Sequence, residues 1–282
     1  MTVRLPYQAG AFYAGSAKAL KKQVEDCFLH KYGVGQLPKV EEKGPKKIIS
    51  LITPHAGFMY SGPVASHGFY SIAQDGRPDL VIILAPNHSG LGSGVSIMTD
   101  GIWQMPSGDV EIDSELAGSI QHASSIIDVD SKAHIFEHSI EVQLPFLQYI
   151  YGNAFKLVPI CMMMQDLATS RDVGTAISVA ITGRNALIIA STDLNHYESQ
   201  RITESKDGLA IDAMLKLDEA LLQSVVESHN ISMCGYGAAS AAIVASKKLG
   251  ASKAQLLCHK TSGDISGDQT QVVGYTSITI SR

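Results

Sequence analysis

A three-layer αβα sandwich with a mostly parallel central sheet is the fold this sequence predicts, and three observations carry the prediction. Short aliphatic runs alternate with segments of helical periodicity along most of the chain, the pattern of strand–helix–strand units. Three of the runs, KKIISLITPHAG, DLVIILAPNHSG and ALIIASTDLNH, lack polar alternation, as do strands covered on both faces. Each run also ends close to a metal-capable side chain: His55, His88, and Asp193 with His196. Ligands of open α/β sheets collect beyond the carboxyl ends of the strands, so these distant residues are expected to converge there.

The elements follow in order. Ser16 is placed to cap a first helix whose apolar residues Leu20, Val24, Cys27 and Phe28 share one face, with Lys31 and Gly33 as its stop. A polar stretch with Pro38 and Pro45 connects it to a strand over 48–53. A helix from Pro63 to Ala73, with the proline in its first turn, leads to a strand over 80–85. Such crossovers are right-handed and parallel. Glycines and short alternating pieces between Ser89 and Asp113 predict a small β excursion over the strand ends. Helices are expected over 113–122 and 138–151, then the strand KLVPICM, a helix over 169–182, the strand ALIIAST and helical segments within 203–229. Pro145 is expected to bend the 138–151 helix, and the methionines at 162–164 to be core. The helix GAASAAIVASKKLG and the strands QLLCH and VGYTSITI complete the chain. With 282 residues, 45% of them hydrophobic, residues 1–282 are expected to form one domain.

Composition narrows the function. The net charge is -5 and the 22 Lys and Arg form no basic stripe, which argues against nucleic acid or an anionic membrane as partner and favours small molecules or proteins. No apolar run approaches the roughly 18 residues of a membrane span, and the first residues do not read as a signal peptide. Cys27, Cys161, Cys234 and Cys258 have no CxxC spacing, which suits a reducing compartment and predicts a cytoplasmic protein. The GxSxG, GxxxxGK[ST] and strand-following GxGxxG patterns are missing, so serine-hydrolase, P-loop and dinucleotide readings lack their defining parts.

His55 and His88 each follow a proline at a strand end and precede small residues. Imidazole there could bind iron, copper or zinc, or simply hydrogen-bond a neighbouring loop. Cys234, just before the Ala-rich helix, is expected to have its thiol pKa lowered by the helix start; otherwise it is a small buried hydrophobe. Asp193 and His196 could be a ligand, an acid/base pair or groups that orient ligands, and Asp193 could instead cap a following helix. His138 and Glu141 stand together at an expected helix start, where a glutamate is favourable without any chemical duty.

AGAFY, PHAGFMYSG, APNHSG, EHSIEVQLPFLQ, STDLNHY and MCGYGAAS, in this order, resemble the landmark segments of the Memo family, called AmmeMemoRadiSam system protein B in microbes. That family is similar in fold to the class III extradiol dioxygenases. The resemblance implies a mononuclear metal site at His55, His88 and Cys234 holding iron or copper, with zinc ranked behind. It implies catalytic duties for His138, Asp193, His196 and Glu141: Asp193 and His196 match pocket residues beside the metal positions, and His138 and Glu141 fall in the matched EHSIE segment. A thiolate in place of the extradiol carboxylate puts ring cleavage in doubt and points to a redox role on an unknown small-molecule substrate. Two other readings compete: a protein- or peptide-binding adaptor that kept an enzyme-like pocket, and a zinc or cysteine hydrolase. The family association implies a radical SAM protein as partner, and a homodimer is the default assembly.

Overall fold

The computed structural model describes residues 2–282. Four parallel strands make the centre of a large mixed sheet, in the order Ile48–Thr53, Ala186–Ser191, Leu80–Pro86, Lys156–Met162. Their side chains are almost all buried, which explains the unbroken aliphatic runs. The edges are antiparallel: Val272–Ser281 pairs with Ile48–Thr53, Lys253–Thr261 lies outside it, and Val95–Ile97 pairs with Lys156–Met162.

Register does the work that matters for the site. Thr53 pairs with Ser191, Leu84 with Ala190, and Pro86 with Met162. The strands therefore end nearly level, and the residues two positions beyond them leave the sheet side by side.

Helices flank this sheet in two packed groups. Ala17–Leu29, Phe58–Asp75 and Leu144–Tyr151 contact one another, as do Ser114–Ala123, Leu167–Ala180, Glu219–Ser228 and Tyr236–Lys248. Leu20, Val24, Cys27 and Phe28 are all buried on the first helix, as their spacing predicts. Asp113, Asp166 and Asp218 cap three of the others by accepting from main-chain N–H groups, each worth about 1 kcal/mol. Among the described residues no helix is long and apolar enough to cross a membrane.

The structure corrects several details. The second helix starts at Phe58, so Pro63 is interior rather than in the first turn; its first amide is satisfied by the Phe12 carbonyl at 2.8 Å. The 138–151 segment is helical only over Leu144–Tyr151, after a 3₁₀ turn at Glu141–Gln143. Pro145 lies in the first turn of that helix, where no N–H partner is lost, and bends nothing. The β excursion divides. Val95–Ile97 joins the large sheet, while Ile102–Trp103 and Val110–Glu111 form a separate three-stranded sheet with the N-terminal strand Val3–Arg4. Met162 is core, but Met163 and Met164 are exposed beyond the strand end.

Candidate metal centre

His55 is the fixed point of the site. Its main-chain N–H donates to Asp193 Oδ1 at 2.8 Å, and its ring Nδ1 lies 2.8 Å from Ser191 Oγ. That hydroxyl gives its only proton to the Ser139 carbonyl at 2.7 Å and accepts from Gln143 Nε2 at 2.8 Å. It has no proton left for the ring, so the His55 Nδ1 must carry one and donate it. This assignment leaves the Nε2 lone pair facing Cys234 Sγ, 3.3 Å away. Burial, then the neighbouring His138 and His88, press the His55 pKa well below its ordinary value, so the imidazole is neutral, as a ligand must be.

His88 is oriented in the same sense from the other side. Its Nδ1 is 2.9 Å from Glu137 Oε1, and its main-chain N–H donates to the same carboxylate. Burial acts to lower the His88 pKa, but the hydrogen bond and charge of Glu137 outweigh it and raise the pKa. Glu137 also accepts from the N–H groups of His138 and Ser139 and from Ser139 Oγ. Burial opposes its charge, yet these donors and His88 hold its carboxyl down to about 2. A carboxylate locked this way fixes the imidazole tautomer and frees Nε2 for a ligand role.

The side-chain donor atoms of His55, His88 and Cys234 all lie within 4.8 Å of one another. His55 is buried, Cys234 is half-buried and His88 is exposed, so the group opens to solvent on one side. The His55 and His88 rings meet edge-on with centroids 5.2 Å apart, and His138 stacks on His88 at 4.6 Å. A second group, His88, Glu137 and His138, shares one histidine with the first. Its glutamate is already saturated by main-chain and hydroxyl donors, which makes the first group the better cation site. A cation between Cys234 Sγ and His55 Nε2 would gain two donors at once, and its binding would release the thiol proton.

Around this group the predicted residues divide. Asp193 is buried, belongs to neither group, and caps no helix. Burial raises its pKa to about 6, against the hydrogen bond from the His55 N–H. His138 is pushed down to about 4, chiefly by burial. His196 Nδ1 is tied to the Ser232 carbonyl at 2.8 Å, with Nε2 free of any such bond. Glu141 belongs to neither group. It is paired with Arg4 and also accepts from the amides of Tyr7 and Gln8 and from the Tyr13 hydroxyl, so its oxygens are committed to the N-terminal segment. The expected lowering of the Cys234 pKa is also corrected. Burial raises it strongly, with the Asp193 charge adding to the effect, and the donors around the sulfur recover only part.

Glu137, Ser191 and Gln143 join the site only through the fold. Glu137 carried a usable signal, a carboxylate directly before the histidine of the EHSIE segment. Ser191 and Gln143 carried none, since their importance lies in whom they meet across the sheet.

Fold and site together define an α/β protein whose level strand ends bring two imidazoles and a thiol into a group that could hold a metal ion. The family model described as Memo-like protein matches residues 4–279, and this chain belongs to that family. A MEMO1 family protein of Methanopyrus kandleri is 50% identical, with 99% of each chain covered. One from Methanothermobacter thermautotrophicus is 48% identical over 98% of this chain and 99% of its own. One from Sulfolobus acidocaldarius is 47% identical over 98% of each. The crystal structure of an uncharacterized protein from Escherichia coli K12 is similar with a TM-score of 0.53, covering 82% of this chain and 99% of that one at 11% identity. That likeness concerns the fold alone.

Proposed function

We propose that this protein is a mononuclear metal protein with a redox, dioxygenase-like role, in which His55, His88 and Cys234 hold iron or copper. The observation that carries the reading is the ligand geometry: two imidazoles with Nδ1 committed elsewhere and Nε2 available, and a sulfur 3.3 Å from one of them. Thiolate with imidazole suits copper or iron better than a hard cation such as magnesium. The three-layer reading of the fold and the open strand-end site agree with a relation to the class III extradiol dioxygenases.

A bound iron or copper ion would supply one-electron chemistry. The chain's own part is to orient and to handle protons. Glu137 and Ser191 hold the two imidazoles in the productive tautomer. His138, on the face of His88, and Asp193, under the His55 amide, offer proton-accepting atoms beside the cation position. His196 presents a third. The exposed His88 side is where a small molecule would enter.

Elemental analysis of anaerobically purified protein tests the assignment. About one iron or copper per chain is expected from a single three-ligand site, with loss of that metal in His55→Ala and Cys234→Ala. Full metal content in both variants would overturn it. A stoichiometric zinc content with rapid Cys234 alkylation and esterase turnover would favour hydrolysis instead.

A further inference from the structure

We propose that Asn195 is a positioning residue that sets the Cys234 arm of the site against the Asp193–His196 arm, with buried Asp207 as its anchor; the functional consequence rests on the metal reading above.

The two arms come from different parts of the chain. Asp193 and His196 follow the strand Ala186–Ser191, whereas Cys234 sits before the helix Tyr236–Lys248. Asn195 has no solvent exposure and spends its polar groups on joining them. Its side-chain oxygen accepts from Ser232 N and Oγ, both at 3.1 Å. Ser232 in turn holds His196 at two points: Oγ accepts from the His196 N–H at 2.7 Å, and the Ser232 carbonyl accepts from His196 Nδ1 at 2.8 Å. Ser232 is two residues from Cys234. One amide side chain therefore fixes the backbone that carries the sulfur and, through it, the ring orientation of His196.

Asn195 is itself clamped. Its N–H donates to Asp207 Oδ1 at 2.9 Å, its carbonyl accepts from Gly274 N at 2.9 Å, and its Nδ2 donates to Glu198 Oε2 at 2.7 Å. Asp207 is buried and its other oxygen is paired with His259 Nε2 at 2.8 Å. Space for that carboxylate exists because residue 274 is glycine: a Cβ there would lie 1.9 Å from Asp207 Oδ2. A buried carboxylate that stands against a glycine to hold one loop amide is an anchor, since removing it leaves the amide unpaired in the interior.

Asn195 belongs to neither candidate ligand group, so a role as core glue must be separated from a role in positioning. The full chain, stripped of metal by chelator, is read by long-range ¹H–¹⁵N NMR above the ordinary titration range of histidine, where the ring tautomer is visible. Wild-type His196 is expected as the Nδ1–H tautomer. Asn195→Ala is expected to give a tautomer mixture at His196, with His88 unchanged because Glu137 holds it. Iodoacetamide should then alkylate Cys234 roughly five- to tenfold faster, the scale of one lost hydrogen bond. Ser50→Ala, which breaks the buried hydrogen bond between the strand Ile48–Thr53 and Ser246 near the far end of the helix Tyr236–Lys248, should lower stability and move neither readout. Should Asn195→Ala fail to fold, Ser232→Ala removes the hydroxyl link and is expected to shift the same two signals. A wild-type tautomer and alkylation rate in the variant that folds would overturn the proposal. Cobalt(II) titration of the wild-type chain keeps the two readings apart: failure to bind cobalt counts against the metal site, while the tautomer result still decides the role of Asn195.

Discussion

Glu137 and Glu141 lie one helical turn's length apart in the same EHSIE segment, and neither has any solvent exposure. Glu137 turns toward the candidate metal group and grips His88. Glu141 turns away and grips Arg4, Tyr13 and two main-chain amides of the N-terminal segment. The difference teaches that burial and residue type do not assign function here; the partner does. One carboxylate orients a candidate ligand, and softening it is expected to leave the fold intact. The other neutralises a buried guanidinium and cannot.

The sharpest way to break this division is Glu141→Ala. Arg4, with a side chain 3% exposed, would be left without a carboxylate, and removing one partner of a buried pair costs about 3–5 kcal/mol. Urea denaturation should show a loss of that size, while the folded fraction keeps its cobalt affinity. A loss below about 1 kcal/mol, the range of exposed pairs, would mean Arg4 finds other partners and the division is not real.

His134 belongs to the same structural side and gives the next largest effect. Its carbonyl accepts from Arg4 Nε at 3.0 Å, its ring is fully buried beside Trp103, and among the described residues no side chain hydrogen-bonds either ring nitrogen. Burial first, and the Arg4 charge second, depress its pKa to about 4. The unfolded chain therefore takes up a proton near pH 6.5 that the folded chain refuses until about 4. The stability from keeping this ring neutral is whole above pH 6.5, falls as pH drops through that window, and levels off below it. Up to roughly 3 kcal/mol is at stake. His134→Phe should make that part of the stability curve less steep, the remaining slope coming from His55 and His138, whose pKa values are also depressed; an unchanged slope would show that the His134 ring makes no contribution.

Much of the site was legible because aliphatic runs closed by Pro54–His55 and Pro86–His88 mark strand ends whatever lies around them. Their level alignment was not, since register is a property of pairing between strands far apart in sequence. Glu137 and Glu141 could not be told apart because the groups that choose between them lie elsewhere: Arg4 is 137 residues from Glu141. Val3–Arg4 is too short a strand for any periodicity to register. Ile140, Leu144 and Leu147 share helical spacing and so suggest a helix over 138–151, but a proline starts helices more readily than it interrupts them, and the helix begins at Leu144. At Cys234 the expected pull of a helix start lost to desolvation of a sulfur lying over Asp193, a cost invisible without the fold.

Glu137→Gln gives the smallest expected effect on stability and the most direct one on the site. The amide is nearly isosteric and its oxygen can still accept from the His138 and Ser139 N–H groups that hold Glu137 now. What is lost is the charge facing His88 Nδ1 at 2.9 Å, together with the acceptor of the His88 main-chain N–H, which the amide NH2 group would face instead. Without the charge the imidazole is less basic and its Nδ1–H tautomer less strongly held, and outer partners of this kind typically contribute 10–100-fold to metal affinity. Competition with a chelator should show cobalt affinity reduced by about that factor, with a urea midpoint much closer to wild type than that of Glu141→Ala. Wild-type affinity combined with a collapse in stability would invert the roles of the two glutamates, making Glu137 a second structural clasp and leaving His88 without the partner that prepares it to bind a metal.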